Sequence, residues 1–177
     1  MQAVLAAADC IHDAAAVDAA YDRLAEQLQA HYAELNPLIL VVMMGGFIVA
    51  AELLKRVQFP FDLDYLHATR YCGDTRGGAL HWKRRPEVEL SGRHVLVIDD
   101  ILDEGQTLRA IRSALLAREP ASLQMAVLTE KRHDRRAAGA HAEYVGLELP
   151  DRYVFGCGMD YQNYWRQLPA IYAVQGL

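Results

Sequence analysis

The chain has little from which a covalent or metal-bound scaffold could be made. Its 177 residues include three cysteines, Cys10, Cys72 and Cys157. They are odd in number and far apart, so they suggest neither a disulfide framework nor a zinc site, and they fit a reducing cytoplasm. Basic charge is not in excess. The net charge is −5, which argues against a general nucleic-acid binder. Charge is missing between Glu34 and Glu52, but Asn36-Pro37 and Gly45-Gly46 interrupt that stretch. A buried strand and helix explain it better than a membrane crossing. Residues 1–8 are apolar but few and lack a basic head, so they do not read as a signal peptide. No internal repeat, low-complexity tract or linker is visible. Nor is there a Gly-Lys pair, which removes the phosphate loop of the nucleotide triphosphatases. What remains is 53% hydrophobic and 23% charged, the composition of a globular protein with a real core. Residues 1–177 are expected to form a single domain.

The densest chemistry lies at residues 95–107, VLVIDDILDEGQT. Val95, Leu96, Val97 and Ile98 make a short all-apolar run, the pattern of a strand buried on both faces. Thr107, Leu108, Ile111, Leu115 and Leu116 follow at helical spacing. Asp99, Asp100 and Asp103 are therefore expected on a strand-to-helix turn at the carboxyl end of a parallel strand, where open α/β sheets place their ligands. Gly105 lets the backbone approach a ligand, and the first amides of the following helix suit a phosphate. Adjacent carboxylates would repel that phosphate. They suit sugar hydroxyls, or a hard cation with its waters. The stretch asks for a ligand with one phosphate, neighbouring hydroxyls and Mg²⁺. A solvated acidic turn with a helix cap is the plain alternative.

Elsewhere the spacing predicts a helix over 13–34, capped by Asp13, from Val17, Tyr21, Leu24, Leu28 and Leu35. A buried strand over 38–43, a helix over 46–56 and a strand over 63–68 follow, which implies a parallel sheet. Residues 71–92 hold four glycines and the run Lys83-Arg84-Arg85. They read either as a surface hairpin or as a lid that excludes water. After the 107–117 helix come strands at 123–129, 144–149, 153–155 and 170–174. At the turn after the first strand, Met43-Met44-Gly45-Gly46 can bring amides to a phosphate.

With these residues in view, the 95–107 stretch resembles the phosphoribosyl-pyrophosphate (PRPP) signature of the type I phosphoribosyltransferases. Further segments, in family order from Leu38 onward, are similar to the hypoxanthine-guanine phosphoribosyltransferases. The resemblance implies an α/β fold with a mostly parallel twisted sheet flanked by helices, and a small hood formed by the chain ends and a mobile loop. It implies a purine salvage reaction that moves the 5-phosphoribosyl group from PRPP to hypoxanthine or guanine, giving IMP or GMP and pyrophosphate. The implied cofactor is Mg²⁺, and the implied assembly a homodimer or homotetramer in the cytoplasm. No nucleic-acid or membrane partner is expected.

The resemblance also distributes roles. Asp99 and Asp100 would meet the ribose hydroxyls, directly or through Mg²⁺, and Asp103 would manage the purine N7 proton as the catalytic residue. Asp103 would also belong to the PRPP ribose-phosphate site, where Glu104, Gly105, Gln106 and Thr107 would wrap the 5′-phosphate. Met44, Gly45, Arg70, Tyr71 and Arg166 would bind pyrophosphate, with a cis peptide at Met43–Met44. Lys131, Tyr153, Val154 and Asp160 would form the purine site, Asp160 also serving a second Mg²⁺. Lys131 has only donors, which favours a 6-oxo group over an amino group. Two positions depart from the family pattern. Met44 stands where a cation is common, and Arg70 is a candidate replacement. Glu104 stands where Thr is usual, and its side chain is expected to point away from the phosphate. Each residue taken singly has a plain reading: a core tyrosine, a surface lysine, a surface Asp/Arg pair, a Gly-rich turn. Two functional alternatives stay open here, a nucleotide-sensing regulator of the same fold and the same reaction on xanthine or a pyrimidine.

Overall fold

The computed structural model describes residues 1–70 and 80–176, the side chains of residues 70 and 80 excepted. Its centre is a six-stranded sheet. In chain order the strands and helices are α1 (Gln2–Ala7), β1 (Asp9–His12), α2 (Ala14–Tyr32), β2 (Leu38–Val42), α3 (Gly45–Leu54), β3 (Asp62–Arg70) and β4 (Leu80–Arg84). Then come β5 (His94–Leu102), α4 (Gln106–Leu116), β6 (Ser122–Lys131), β7 (Tyr144–Leu149), β8 (Val154–Phe155) and β9 (Ile171–Ala173). The large sheet has the order β4-β3-β2-β5-β6-β7. All of its pairings are parallel except β3 with β4.

Alternation along the strands divides the core in two. Ile39, Val41, Leu96 and Ile98 pack with Leu24, Leu28 and Tyr32 of α2 and with Val49 and Leu53 of α3. Leu38, Leu40, Val95 and Val97 pack on the other face with Leu108, Ile111 and Leu115 of α4. Both faces of β2 and β5 are therefore covered, as their unbroken apolar runs predict. The expected cap on α2 is present, with the Ala16 N–H donating to Asp13 Oδ1 at 2.8 Å.

A second sheet, β1-β9-β8, joins the two ends of the chain. Arg152 ties it together by donating to Asp9 Oδ2 at 2.7 Å and to the Val174 carbonyl at 2.9 Å. This matches the chain-end part of the expected hood, although the sequence pattern predicts no strand at its N-terminal side; the hood's expected loop falls largely outside the described residues. Four residues, half exposed, carry too little pattern to announce themselves. The surface-hairpin reading of 71–92 is matched in part by the antiparallel pairing of β3 with β4. The proposed lid falls largely on residues 71–79, outside the described residues.

One expectation needs correction. Asp99 and Asp100 lie inside β5, not on the turn after it. The apolar run ends at Ile98, but β6 continues alongside and pairs Asp99 with Val127, Ile101 with Thr129 and Leu102 with Glu130. Ladder hydrogen bonds to a neighbouring strand, not side-chain polarity, set where a strand stops.

Candidate active site

Parallel strands β2, β5 and β6 bring their carboxyl ends to one edge of the sheet, the edge at which such sheets hold ligands. β5 places Asp100 on the α3 face, in line with Ile98, and Asp99 on the α4 face, in line with Val97. Both residues are 9% exposed. The Asp100 N–H donates to Asp99 Oδ1 at 2.9 Å, and the Thr129 hydroxyl donates to the Asp100 carbonyl at 3.0 Å. Burial pushes both carboxyls above the usual range. The neighbouring Asp100 charge raises Asp99 further, and Arg166 opposes the rise at both. Two such carboxylates suit hydroxyl donors or a cation.

The approach of α3 to this pair depends on a missing side chain. A Cβ on Gly45 would lie 1.9 Å from Asp100 Oδ2. The Met43–Met44 peptide just before it is cis, at the position expected. Met44 itself is 55% exposed.

The turn into α4 begins one residue earlier than expected. Gly105 is the cap, in the left-handed conformation at φ 76°, and Gln106 opens the helix. A Cβ on Gly105 would meet Ala140 Cβ at 2.4 Å and Leu102 Cδ1 at 2.9 Å. The glycine is thus required by its φ and by the protein behind it, and its backbone also lines the larger cavity described below. The first amides of α4 have no acceptor within the helix. Glu104 Oε2 accepts from the Gln106 side-chain Nε2 at 3.0 Å, and its Oε1 lies 4.0 Å from Arg135 Nε. Arg135 in turn donates to both oxygens of Asp151 at 2.6 and 2.8 Å.

Asp103 follows β5. Lys131 Nζ donates to its Oδ2 at 2.8 Å, and His133 Nε2 lies 2.7 Å from its Oδ1. Burial tends to raise the Asp103 carboxyl, but the bonds from Lys131 and His133 overcome it and hold the group below its ordinary value. Arg166, from the segment before β9, donates to the Gly158 carbonyl and to Asp160 Oδ1, each at 2.6 Å. Asp160 Oδ2 accepts from the Asn163 N–H at 2.7 Å.

These groups enclose two adjoining cavities. The larger, about 450 Å³, is lined by Gly45, Asp99, Asp100, Asp103, residues 104–107 and Arg166, with Arg135 on its wall. The smaller, about 190 Å³, is lined by Lys131, Tyr153, Val154, Met159 and Asp160. Asp100, Ile101 and Asp103 line both. All four purine-site candidates therefore share one recess, and the ribose and phosphate candidates share the other. Met44 lines neither among the described residues, whereas Met43 and Gly45 do line the larger. Arg70 ends β3, with its side chain outside the described residues, and Tyr71 lies outside them altogether. Sequence reading missed Arg135 and His133. The basic run at 131–136 was the available signal, but which of its members turns toward Asp103 depends on how the chain leaves β6.

A family profile described as Phosphoribosyl transferase domain matches residues 7–162. The hypoxanthine-guanine-xanthine phosphoribosyltransferase of Tritrichomonas foetus is 34% identical over 148 residues, covering 84% of this chain and 81% of that protein. The hypoxanthine-guanine phosphoribosyltransferase of Streptococcus pneumoniae is 34% identical over 150 residues, covering 84% and 83%. A solved hypoxanthine phosphoribosyltransferase from Staphylococcus aureus superposes with a TM-score of 0.87 at 30% identity, over 94% of this chain and 91% of that one. The matched span contains the parallel sheet, the carboxylates of β5 and the purine-side recess, and the chain belongs to the phosphoribosyl transferase family, among relatives named as hypoxanthine-guanine phosphoribosyltransferases.

Proposed function

We propose that this chain, as one phosphoribosyltransferase domain over residues 1–177, transfers the 5-phosphoribosyl group of PRPP to hypoxanthine or guanine and releases pyrophosphate. The observation that carries the reading is Asp103. It stands where a carboxylate-and-amide recess for a sugar phosphate meets a smaller recess lined by an aromatic ring and a lysine. A purine in the smaller recess would present N7 to Asp103 and its 6-oxo group to Lys131. Tyr153 would stack on the ring, with Val154 and Asp160 at the far edge. Asp99 and Asp100 would hold the ribose hydroxyls, and Glu104, Gly105, Gln106 and Thr107 would receive the 5′-phosphate.

Pyrophosphate would leave past Gly45 and Arg166. Arg70 and Tyr71 would cover it, and Met44 would contribute backbone alone. The transition state would be oxocarbenium-like, as in other glycosyl transfers. Asp103 would take the N7 proton as the new bond to C1 forms, and closure of the site would keep water from C1.

The donor set suits Mg²⁺. Asp99 and Asp100 are two buried carboxylates raised by burial, and no cluster of three or more metal-ligating side chains occurs among the described residues. Mg²⁺ commonly takes one or two carboxylates and completes its shell with water and substrate phosphate oxygens. When bound it would neutralise the pyrophosphate leaving group. Both oxygens of Asp160 are engaged, so a second ion there would be reached through water. We further place the enzyme in the cytoplasm as a homodimer or homotetramer. Among the described residues no helix is long and apolar enough to cross a membrane.

The test is a base panel with PRPP and Mg²⁺, read as kcat/KM for hypoxanthine, guanine, xanthine and adenine. Hypoxanthine or guanine should exceed adenine by at least about 100-fold. Equal use of adenine, or no transfer to any purine, would overturn the assignment.

A further inference from the structure

Asp103 is held from both sides, and its two holders are not equivalent. Lys131 lines the purine recess. His133 does not line it, and its side chain is only 3% exposed while that of Asp103 is 41% exposed. The direction of the His133 bond follows from the other ring nitrogen. The Arg135 backbone N–H donates to His133 Nδ1 at 3.1 Å, so Nδ1 presents its lone pair. The ring proton of the neutral imidazole is then on Nε2, which donates to Asp103 Oδ1 at 2.7 Å. A neutral donor facing a carboxylate makes a charge-assisted bond, stronger than a neutral pair.

Lys131 has a competing duty. When a 6-oxopurine enters, its ammonium must turn part of its donor capacity to the carbonyl oxygen. At that moment Asp103 Oδ2 must be free for N7–H yet remain aimed at it. We infer that His133 is a positioning residue for the transfer, anchoring Oδ1 so that Oδ2 stays directed into the purine recess while Lys131 turns to the base. The inference rests on the reaction proposed above and adds to it a residue that never touches substrate.

Other charges also face Asp103. Lys131 favours its ionised form and Arg135 interacts with it electrostatically, while Asp100 and Asp160 share the purine recess with it. Arg135 also donates its backbone N–H to His133 Nδ1, so the Asp103 bond is read from the comparison of His133→Phe with His133→Gln, both of which lack that ring nitrogen. Removing that bond takes a donor from the carboxylate, which raises its pKa and narrows the pH range in which Asp103 can accept a proton.

The experiment compares wild type, His133→Phe and His133→Gln, the last of which keeps an N–H near the place of Nε2. In His133→Phe the acid limb of kcat/KM for hypoxanthine should move up by about one pH unit, and kcat should fall about tenfold with KM for PRPP unchanged. His133→Gln should restore both. If the Phe ring prevents folding, His133→Leu removes the same donor. A second readout needs no turnover: the ¹³C-carboxyl titration of Asp103, assigned with Asp103→Asn, should rise in His133→Phe and return in His133→Gln. A wild-type pH profile and an unmoved Asp103 midpoint in an active, folded His133→Phe would overturn the inference. Failure of the wild type to use any purine would overturn the transfer reading instead, while the titration would still decide whether His133 anchors the carboxylate.

Discussion

Gly45 and Asp100 occupy the same space, in the sense that a Cβ on the first would lie 1.9 Å from a carboxylate oxygen of the second. Asp100 is buried, so it has little room to retreat. Gly45→Ala should therefore move either the α3 N-terminus or the carboxylate that we assign to the ribose. Alanine is the better helix former, and the helix itself should not suffer. The expected result is a loss of about 100-fold in kcat/KM for PRPP, the scale of a displacement of roughly 1 Å in a positioned group, with thermal stability changed by only a few degrees. Steady-state kinetics and a melting curve on the same preparation check this. Full activity would mean that Asp100 does not need its present position.

Asp103 is held ionised against its burial by Lys131 and His133. Asp103→Asn keeps the shape and removes the proton acceptor. General base catalysis contributes about 10²–10⁴-fold, so kcat should fall by that order. KM for PRPP should change far less than kcat, because Asp103 is one of many groups lining the ribose and phosphate recess and the substitution keeps its shape. Rapid-quench or steady-state assays at saturating hypoxanthine would show it. Unaltered kcat would remove Asp103 from the chemistry.

The sheet was legible because its strands are short apolar runs separated by amphipathic helices, and the pattern of 38–43 or 95–98 has few other uses in a globular chain. The purine recess was legible only through family resemblance. Tyr153 and Lys131 are ordinary residues in sequence, and 22 positions separate them. β1 was invisible because a four-residue hood strand gains its order from β9, at the opposite end of the chain. The ends of β5 were misjudged because polar side chains ended the pattern before the hydrogen-bond ladder ended. His133 was hidden for a related reason: its role comes from one bond across 30 positions, which no local period can register.

Glu143 offers a prediction about stability with a definite sign. Its carboxylate accepts from Arg112 Nη2 at 2.8 and 2.9 Å and from the Met125 N–H at 2.7 Å. Burial raises the group, but these bonds outweigh burial and hold it below the ordinary glutamate value. A carboxyl lowered on folding stabilises the folded state fully above its unfolded pKa, about 4.3. That contribution is lost as pH falls through the folded value. Glu143→Gln should cost about 1 kcal/mol at pH 7, toward the low end for bonds to a charged group because the site is partly exposed. In a chain of this size that is a fall in Tm of about 2–4 °C. The difference between variant and wild type should shrink as pH falls below about 4. Melting curves from pH 7 to pH 3 test both the size and the direction. A difference that grew on acidification would refute the linkage.

Lys131 sets what the recess can accept. Its ammonium has three donors and no acceptor, and one donor is already engaged by Asp103. A 6-oxo group would accept a second donor, while a 6-amino group would accept none and place N–H against N–H. Lys131→Gln replaces the cation with an amide that can turn either its carbonyl or its NH₂ toward the base. Two effects should follow. The ratio of kcat/KM for hypoxanthine over adenine should fall by at least about tenfold, since an unpaired polar group in a closed site is the larger part of such discrimination. The acid limb of the pH profile should also move upward, because Asp103 loses one of the two bonds that hold it ionised. If discrimination survived unchanged while the acid limb moved, Lys131 would serve Asp103 alone, and the choice of base would have to be made at the Val154 edge of the recess.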